Sequence, residues 1–203
     1  MTTEMKEPKD SKTLMLLSHG EHELRLDKIR AAMALAGIDA ILISDNANKY
    51  YLTGRVYAGY AYVPLKGEPI FFVRRPVELN GDGVVYIRKP EEMAESVGLS
   101  APQKLGLEVD TVPYSSALRL AAIFPGTEIA NASALMRKVR AVKTAAEIEM
   151  LRRSGTKHVH VYSRIPHLYR PGMSDIELQV EIERLSRLEG CLGQFRISGD
   201  SME

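Results

Sequence analysis

The feature that most constrains this 203-residue chain is a short apolar run, Ile38-Asp39-Ala40-Ile41-Leu42-Ile43-Ser44, followed at once by Asn48-Lys49-Tyr50-Tyr51-Leu52-Thr53-Gly54-Arg55. The run is bounded by Gly37 in front and by Ser44-Asp45-Asn46 behind, and it is too short for an independent helix. Its unbroken apolar character predicts a strand covered on both faces, as in an α/β domain. Asn46 to Gly54 reads as a turn or a single helical turn, capped by Asn46 or Asn48, with Tyr51 and Leu52 packed inward and Gly54 leaving through a positive φ.

The remaining pattern supplies a sheet and its covering helices. Leu26, Ile29, Met33 and Ala36 recur at three- and four-residue steps and Gly37 stops the series, predicting a helix over 21–36. Tyr60 to Leu65 and Ile70 to Arg74 flank Lys66-Gly67-Glu68-Pro69, an expected antiparallel hairpin. Asp82-Gly83 turns into Val84–Ile87, and Pro90 stands at a first helical position ahead of Glu91 and Glu92. Lys104–Val109 and Glu128–Ala130 are further strands, separated by a helix opened by Ser115 or Ser116 and closed by Pro125-Gly126. Because a hairpin interrupts the strand and helix alternation, the sheet is expected to be mixed. Ser133 to Arg140 is a short helix whose basic residues, with Lys143, read as a solvated face between two domains. Thr144-Ala145-Ala146-Glu147 and Ser174-Asp175-Ile176-Glu177 are capping boxes. The first opens a long helix with Ile148, Leu151, Val159, Tyr162 and Ile165 on its apolar side. The second opens a helix carrying Ile176, Val180, Ile182, Leu185 and Leu188, and a strand is expected over Gln194–Ser198.

Composition excludes several function classes. Apolar residues make up 45% and charged residues 26%, the proportions of an ordinary globular protein, and no apolar run approaches the ~20 residues needed to span a bilayer. Leu14-Met15-Leu16-Leu17 is too brief for a secretory core, so residues 1–21 are expected to be a flexible N-terminus and the protein cytoplasmic. The net charge of +1 comes from 27 basic and 26 acidic residues mixed along the chain, which gives no stripe to track nucleic acid. Cys191 is the single cysteine and reads as a small half-buried residue.

Chemistry-bearing patterns are sparse. His158 and His160 project about 200° apart on a helix and cannot share one ion. His19 and His22 would need two more ligands, and His167 suits a helix end. Glu177, Glu181, Glu183 and Glu189 spread around an amphipathic helix as a solvated face. Gly81-Asp82-Gly83 is a turn and not a dinucleotide motif, and neither a nucleophile elbow nor a phosphate loop is present. No catalytic residue and no metal ligand is assigned.

Four segments in order carry a resemblance. The Asn48 to Gly54 stretch resembles the Asn-x-x-Tyr-Leu-Thr-Gly turn of the creatinase/prolidase N-terminal domain. Lys66 to Val73 resembles that family's second hairpin, Lys104-Leu105-Gly106-Leu107-Glu108 one of its strands, and Met136 to Ile148 its lead into the catalytic domain. The resemblance runs from about residue 22 to the last residue. It implies an α/β, mixed-sheet, ribonuclease H-like N-terminal domain over 22–131, a linker helix over 132–143, and an incomplete start of a pita-bread catalytic domain over 144–203.

By the same resemblance the full-length protein would be a homodimeric Xaa-Pro dipeptidase or aminopeptidase hydrolysing small proline-containing peptides. Its two divalent metal ions, Mn, Co or Zn, would be held by residues beyond Glu203, so the chain as given would be inactive alone. Its own contribution would be dimerisation and substrate access, through a loop reaching the neighbouring subunit's active site, which here points to Arg55, Tyr57 and Tyr60. Arginine can clamp a carboxylate, and tyrosine offers an apolar wall with a donor. Two alternatives remain open: a non-catalytic peptide- or protein-binding module of this fold, and part of a creatine amidinohydrolase-like enzyme. A reading frame continuing past Glu203 with Asp, Asp, His, Glu and Glu ligands would separate enzyme from module.

Overall fold

The computed structural model describes residues 12–98 and 101–191, and the strand expected over Gln194–Ser198 lies outside them. The chain divides into two compact units, Met1–Val142 and Lys143–Glu203.

The first unit is built on a six-stranded sheet of order β4-β3-β2-β1-β5-β6, with β1 Ala40–Ile43, β2 Ala58–Pro64, β3 Ile70–Arg75, β4 Val84–Tyr86, β5 Lys104–Leu107 and β6 Glu128–Asn131. β2 pairs antiparallel with both β1 and β3, while β1–β5, β5–β6 and β3–β4 are parallel, so the sheet is mixed. All four residues of β1 are buried, because helices cover both sides. Ile41 and Ile43 face a core shared with α1 (His19–Ala36), α2 (Asn46–Thr53) and α5 (Ser133–Ala141). Ala40 and Leu42 face the opposite core, which holds Phe72, Leu105, Leu107 and residues of α3 (Met93–Val97) and α4 (Tyr114–Ile123). The period-two alternation of one strand thus serves two cores.

Local chemistry sets the helix ends. Ser18 caps α1 by accepting from the Glu21 N–H at 3.3 Å, and Gly37 closes it at φ 62°. Leu26, Ile29 and Met33 are buried, whereas Ala36 is exposed, and Arg25 takes the fourth inward position. Its guanidinium donates to Glu21 at 2.7 Å and to the Tyr51 carbonyl at 2.7 Å and lies 4.9 Å from the centre of the Tyr51 ring. A charge is tolerated there because its donors are taken up and its flat face is stacked on an aromatic ring. Leu14, from the stretch ahead of α1, is buried in the α1 core, with its N–H donating to the Asn80 carbonyl at 2.8 Å.

Three expectations differ from the structure. Residues 46–53 form two helical turns, and their cap is Asp45, whose carboxylate accepts from the Ala47 and Asn48 N–H groups. The expected caps were unsuitable: Asn46 is already helical, and Asn48 is drawn inward by a buried carboxylate. α4 opens at Tyr114 behind Pro113 without any side-chain cap, so neither Ser115 nor Ser116 plays that part. A proline fixes its own φ there and makes a polar cap dispensable.

The second unit consists of α6 (Ala145–Leu168) and α7 (Asp175–Leu188), each started by a complete capping box at Thr144 and Ser174. Val161, Ile182 and Leu185 form its small core, with Ile165, Leu168 and Leu178 at the margin. Leu151, Val159, Tyr162, Ile176, Val180 and Leu188 are exposed, so the expected apolar sides of both helices are only partly buried.

Gly106 of β5 has no room for a side chain, since a Cβ would stand 2.9 Å from the Ala132 Cβ and 3.0 Å from the Ile41 Cγ1. Gly106→Val is expected to lower unfolding stability by about 1–3 kcal/mol in urea titrations. On the surface, Arg119 of α4 grips Glu91 in a two-pronged ion pair, which holds the Glu91 carboxyl down to about 2 from its ordinary 4.5. Because the folded value is the lower one, the tie contributes above about 4.5 and is lost as pH falls through about 2. A carboxyl NMR titration should find that midpoint, and Arg119→Ala should return it toward 4.5.

Candidate functional site

The site grows out of the turn between β1 and α2. Glu108, at the end of β5 and 1% exposed, directs its carboxylate at this turn. One oxygen accepts from the Ser44 N–H at 2.6 Å, the Asp45 N–H at 2.7 Å and the Ser44 hydroxyl at 3.1 Å, and the other accepts from the Asn48 side-chain amide. The Asn48 carbonyl oxygen in turn accepts from Arg140 of α5 at 2.6 Å. A buried carboxylate is stable here because it is fully hydrogen-bonded and sits at the positive end of α2.

One helical turn further on, Lys49 points beneath the segment that enters β2. Its ammonium donates to the Tyr57 carbonyl at 2.7 Å and to the Gly59 carbonyl at 3.2 Å, and it lies 5.2 Å from the centre of the Tyr57 ring. Burial lowers the Lys49 pKa, while the negative charges of Glu108 and Asp45 oppose that shift. The Tyr57 phenol is buried, which raises its pKa, and donates to the Tyr60 carbonyl at 3.1 Å. At Gly59 the register between β2 and β3 shifts, and a Cβ there would lie 1.9 Å from the Phe72 carbonyl oxygen, so no side chain is accommodated.

Above this floor lies an open groove of about 1020 Å³. Lys49, Tyr57 and Tyr60 line one part of it, Arg74 and Arg75 from the end of β3 another, and Ser116 and Leu120 of α4 a third. The structure therefore brings Tyr57 and Tyr60 to one cavity, Tyr57 as a buried support and Tyr60 as a half-exposed wall. Arg55, half-buried, is not among the lining residues; its N–H is held by the Thr53 hydroxyl at 3.1 Å in the turn that precedes them. Sequence reasoning missed Lys49, Arg74 and Arg75. Two adjacent arginines ending the apolar run Ile70–Val73 were the available signal, whereas nothing in the sequence announced that Lys49 would turn inward.

The histidines and glutamates are engaged in separate local contacts. His22 Nδ1 lies 2.9 Å from the Leu52 carbonyl and so carries the hydrogen, while His160 contacts Glu189 at 3.1 Å. Glu177 is occupied in a capping box and Glu181 pairs with Arg184. Among the described residues, no group of three or more His, Cys, Asp or Glu side chains is placed to hold a metal ion, and no helix is long and apolar enough to cross a membrane.

Residues 25–142 match the family model described as Creatinase/Prolidase N-terminal domain. The chain belongs to that family. Among curated proteins, this family member is 29% identical over 204 aligned positions to an ectoine hydrolase of Halomonas elongata, covering 84% of the present chain and 49% of that protein. It is 25% identical over 181 positions to the uncharacterised peptidase YqhT of Bacillus subtilis, covering 83% of the chain and 50% of the relative. Among solved structures, a Xaa-Pro dipeptidase from Bacillus anthracis superposes with a TM-score of 0.71 at 27% identity, over 83% of this chain and 49% of that one. The chain thus spans about half the length of the relatives it matches.

The buried carboxylate of this creatinase/prolidase N-terminal domain gives a direct test. Glu108→Ala would leave the Ser44, Asp45 and Asn48 donors without their acceptor and should cost at least about 2 kcal/mol in urea unfolding. Glu108→Gln, which keeps an acceptor oxygen, should cost less. Equal stability of Glu108→Ala and the unmodified chain would remove the network from the account of the site.

Proposed function

We propose that the chain is the N-terminal portion of a metal-dependent hydrolase of the Xaa-Pro dipeptidase and aminopeptidase type, which in full-length form cleaves the bond before proline in small peptides. The observation that carries this reading is the continuity of the match: likeness to the Xaa-Pro dipeptidase covers 83% of the chain, more than residues 25–142 can supply. In this reading residues 22–131 are the N-terminal domain, 132–143 the linker helix and 144–203 the opening of the pita-bread catalytic domain. In the same reading two divalent ions, Mn, Co or Zn, would be held in a part of the full-length protein outside this portion, where they would polarise the scissile carbonyl and activate water.

The portion itself serves homodimerisation and substrate access. Tyr60 offers the groove a half-exposed aromatic wall, Tyr57 holds the Tyr60 backbone from beneath, and Arg55 starts the same segment as a candidate clamp for a peptide carboxylate at the neighbouring subunit's active site. A second reading, an ectoine hydrolase-like activity, is favoured by the 29% identity to that enzyme.

The isolated chain with added Mn²⁺ is expected to give no turnover of Xaa-Pro dipeptides; turnover that survives controls for contaminating peptidase would overturn the reading. A fusion replacing the matched half of the Bacillus anthracis enzyme with this chain should hydrolyse Xaa-Pro dipeptides. In that fusion Tyr60→Ala should raise KM severalfold with little change in kcat. Hydrolysis of ectoine with no action on Xaa-Pro peptides would select the second reading instead.

A further inference from the structure

Arginine in the first unit is mostly spoken for. Arg25, Arg119 and Arg137 pair with Glu21, Glu91 and Asp110, and Arg140 donates to Asn48. Among the described residues, the guanidinium groups of Arg74, Arg75 and Arg88 make neither an ion pair nor a hydrogen bond. All three converge on one place. A second open pocket, of about 770 Å³, adjoins the groove and shares Ala58, Arg74, Arg75 and Val77 with it, adding Tyr86 and Arg88. Two carboxylates also line these cavities, and both are occupied: Asp45 caps α2, and Glu92 accepts from the Arg88 N–H at 3.0 Å. The surface is therefore cationic with its acids already committed to backbone.

Apolar side chains line the cavities beside these charges. Val56 is 50% exposed, Val77 72% and Tyr86 46%, and they border the same two cavities. A compact anion such as phosphate would use the guanidinium groups and leave the valines wet. An extended peptide in which acidic and apolar residues alternate would satisfy both, since side chains along an extended chain point to alternate sides.

We propose that the joined cavities are a docking groove for an extended acidic segment of a protein partner, its carboxylates read by Arg74, Arg75 and Arg88 and its apolar residues packed on Val56, Val77 and Tyr86. It shares its first cavity with the access reading, because Tyr57 and Tyr60 line that cavity too, but it rests on Arg74, Arg75 and Arg88, whereas the access reading is tested by turnover. Binding here is read without turnover.

The test is fluorescence anisotropy with the full 203-residue chain and a labelled peptide of sequence Glu-Val-Asp-Leu-Glu, blocked at both ends. The peptide should bind at least about tenfold more tightly than its Gln-Val-Asn-Leu-Gln isostere, and its affinity should fall as salt rises from about 50 to about 300 mM. Arg74→Glu, Arg75→Glu and Arg88→Glu should each weaken binding about fivefold, with circular dichroism confirming the fold. Lys66→Glu, at the hairpin turn and outside both cavities, should leave binding unchanged. Absent binding, equal binding of the neutral isostere, or indifference to all three charge reversals would overturn the proposal. Tighter binding of inorganic phosphate or of a short oligonucleotide, with the same arginine dependence, would also overturn it.

Discussion

The first unit depends on one buried negative charge. Glu108 directly follows β5, the strand parallel to β1, and its carboxylate reaches across to the turn where β1 becomes α2. Ser44, Asp45 and Asn48 donate to it, and Asn48 passes the connection on to Arg140 of α5. Removing a carboxylate from water is costly, and the cost is offset only because every one of these donors is fixed by the fold and α2 presents its positive end. In return, the path of the chain after β1 is fixed, and with it the direction of α2.

That direction decides the groove. With α2 held, Lys49 is directed under Tyr57 and Gly59, and its ammonium donates to both of their carbonyls. The register shift at Gly59 then turns the start of β2, leaving Tyr60 half-exposed on the groove wall, and the antiparallel neighbour β3 delivers Arg74 and Arg75 beside it. A cationic, partly apolar cavity is the outcome of a hydrogen-bond network that runs from Ser44 to Arg140, since Asn48 and Glu108 are 60 positions apart and Asn48 and Arg140 are 92.

Much of this architecture was legible beforehand. The apolar run over β1, the hairpin of β2 and β3, the mixed sheet and both capping boxes follow from short-range rules, because each is set by residues within a few positions of one another. Reading failed where a distant group took over. Asn48 was expected as a cap and is instead claimed by Glu108, while Asp45 takes the capping role. Periodicity marks Ile165, Ile182 and Leu185 as inward, and they lie in or against the core of the second unit, yet Ile148, Leu151, Ile176 and Val180 on the same stripes are exposed, and Val161, outside the expected set, is buried. An apolar stripe states which side of a helix can be buried, and it does not state how far along that side a partner extends.

The sequence by itself determined most of the secondary structure, the two-faced burial of β1, the helix caps at Thr144 and Ser174, and the ordered motifs of the creatinase/prolidase N-terminal domain family. Those are consequences of backbone geometry and nearest neighbours. Tertiary structure alone decided that Glu108, Asn48 and Arg140 share one network, that Lys49 turns inward, and that Arg74, Arg75 and Arg88 face one pair of cavities. The physical reason is that a buried charge chooses its partners by position in space, and only the packed sheet brings those partners within hydrogen-bond reach.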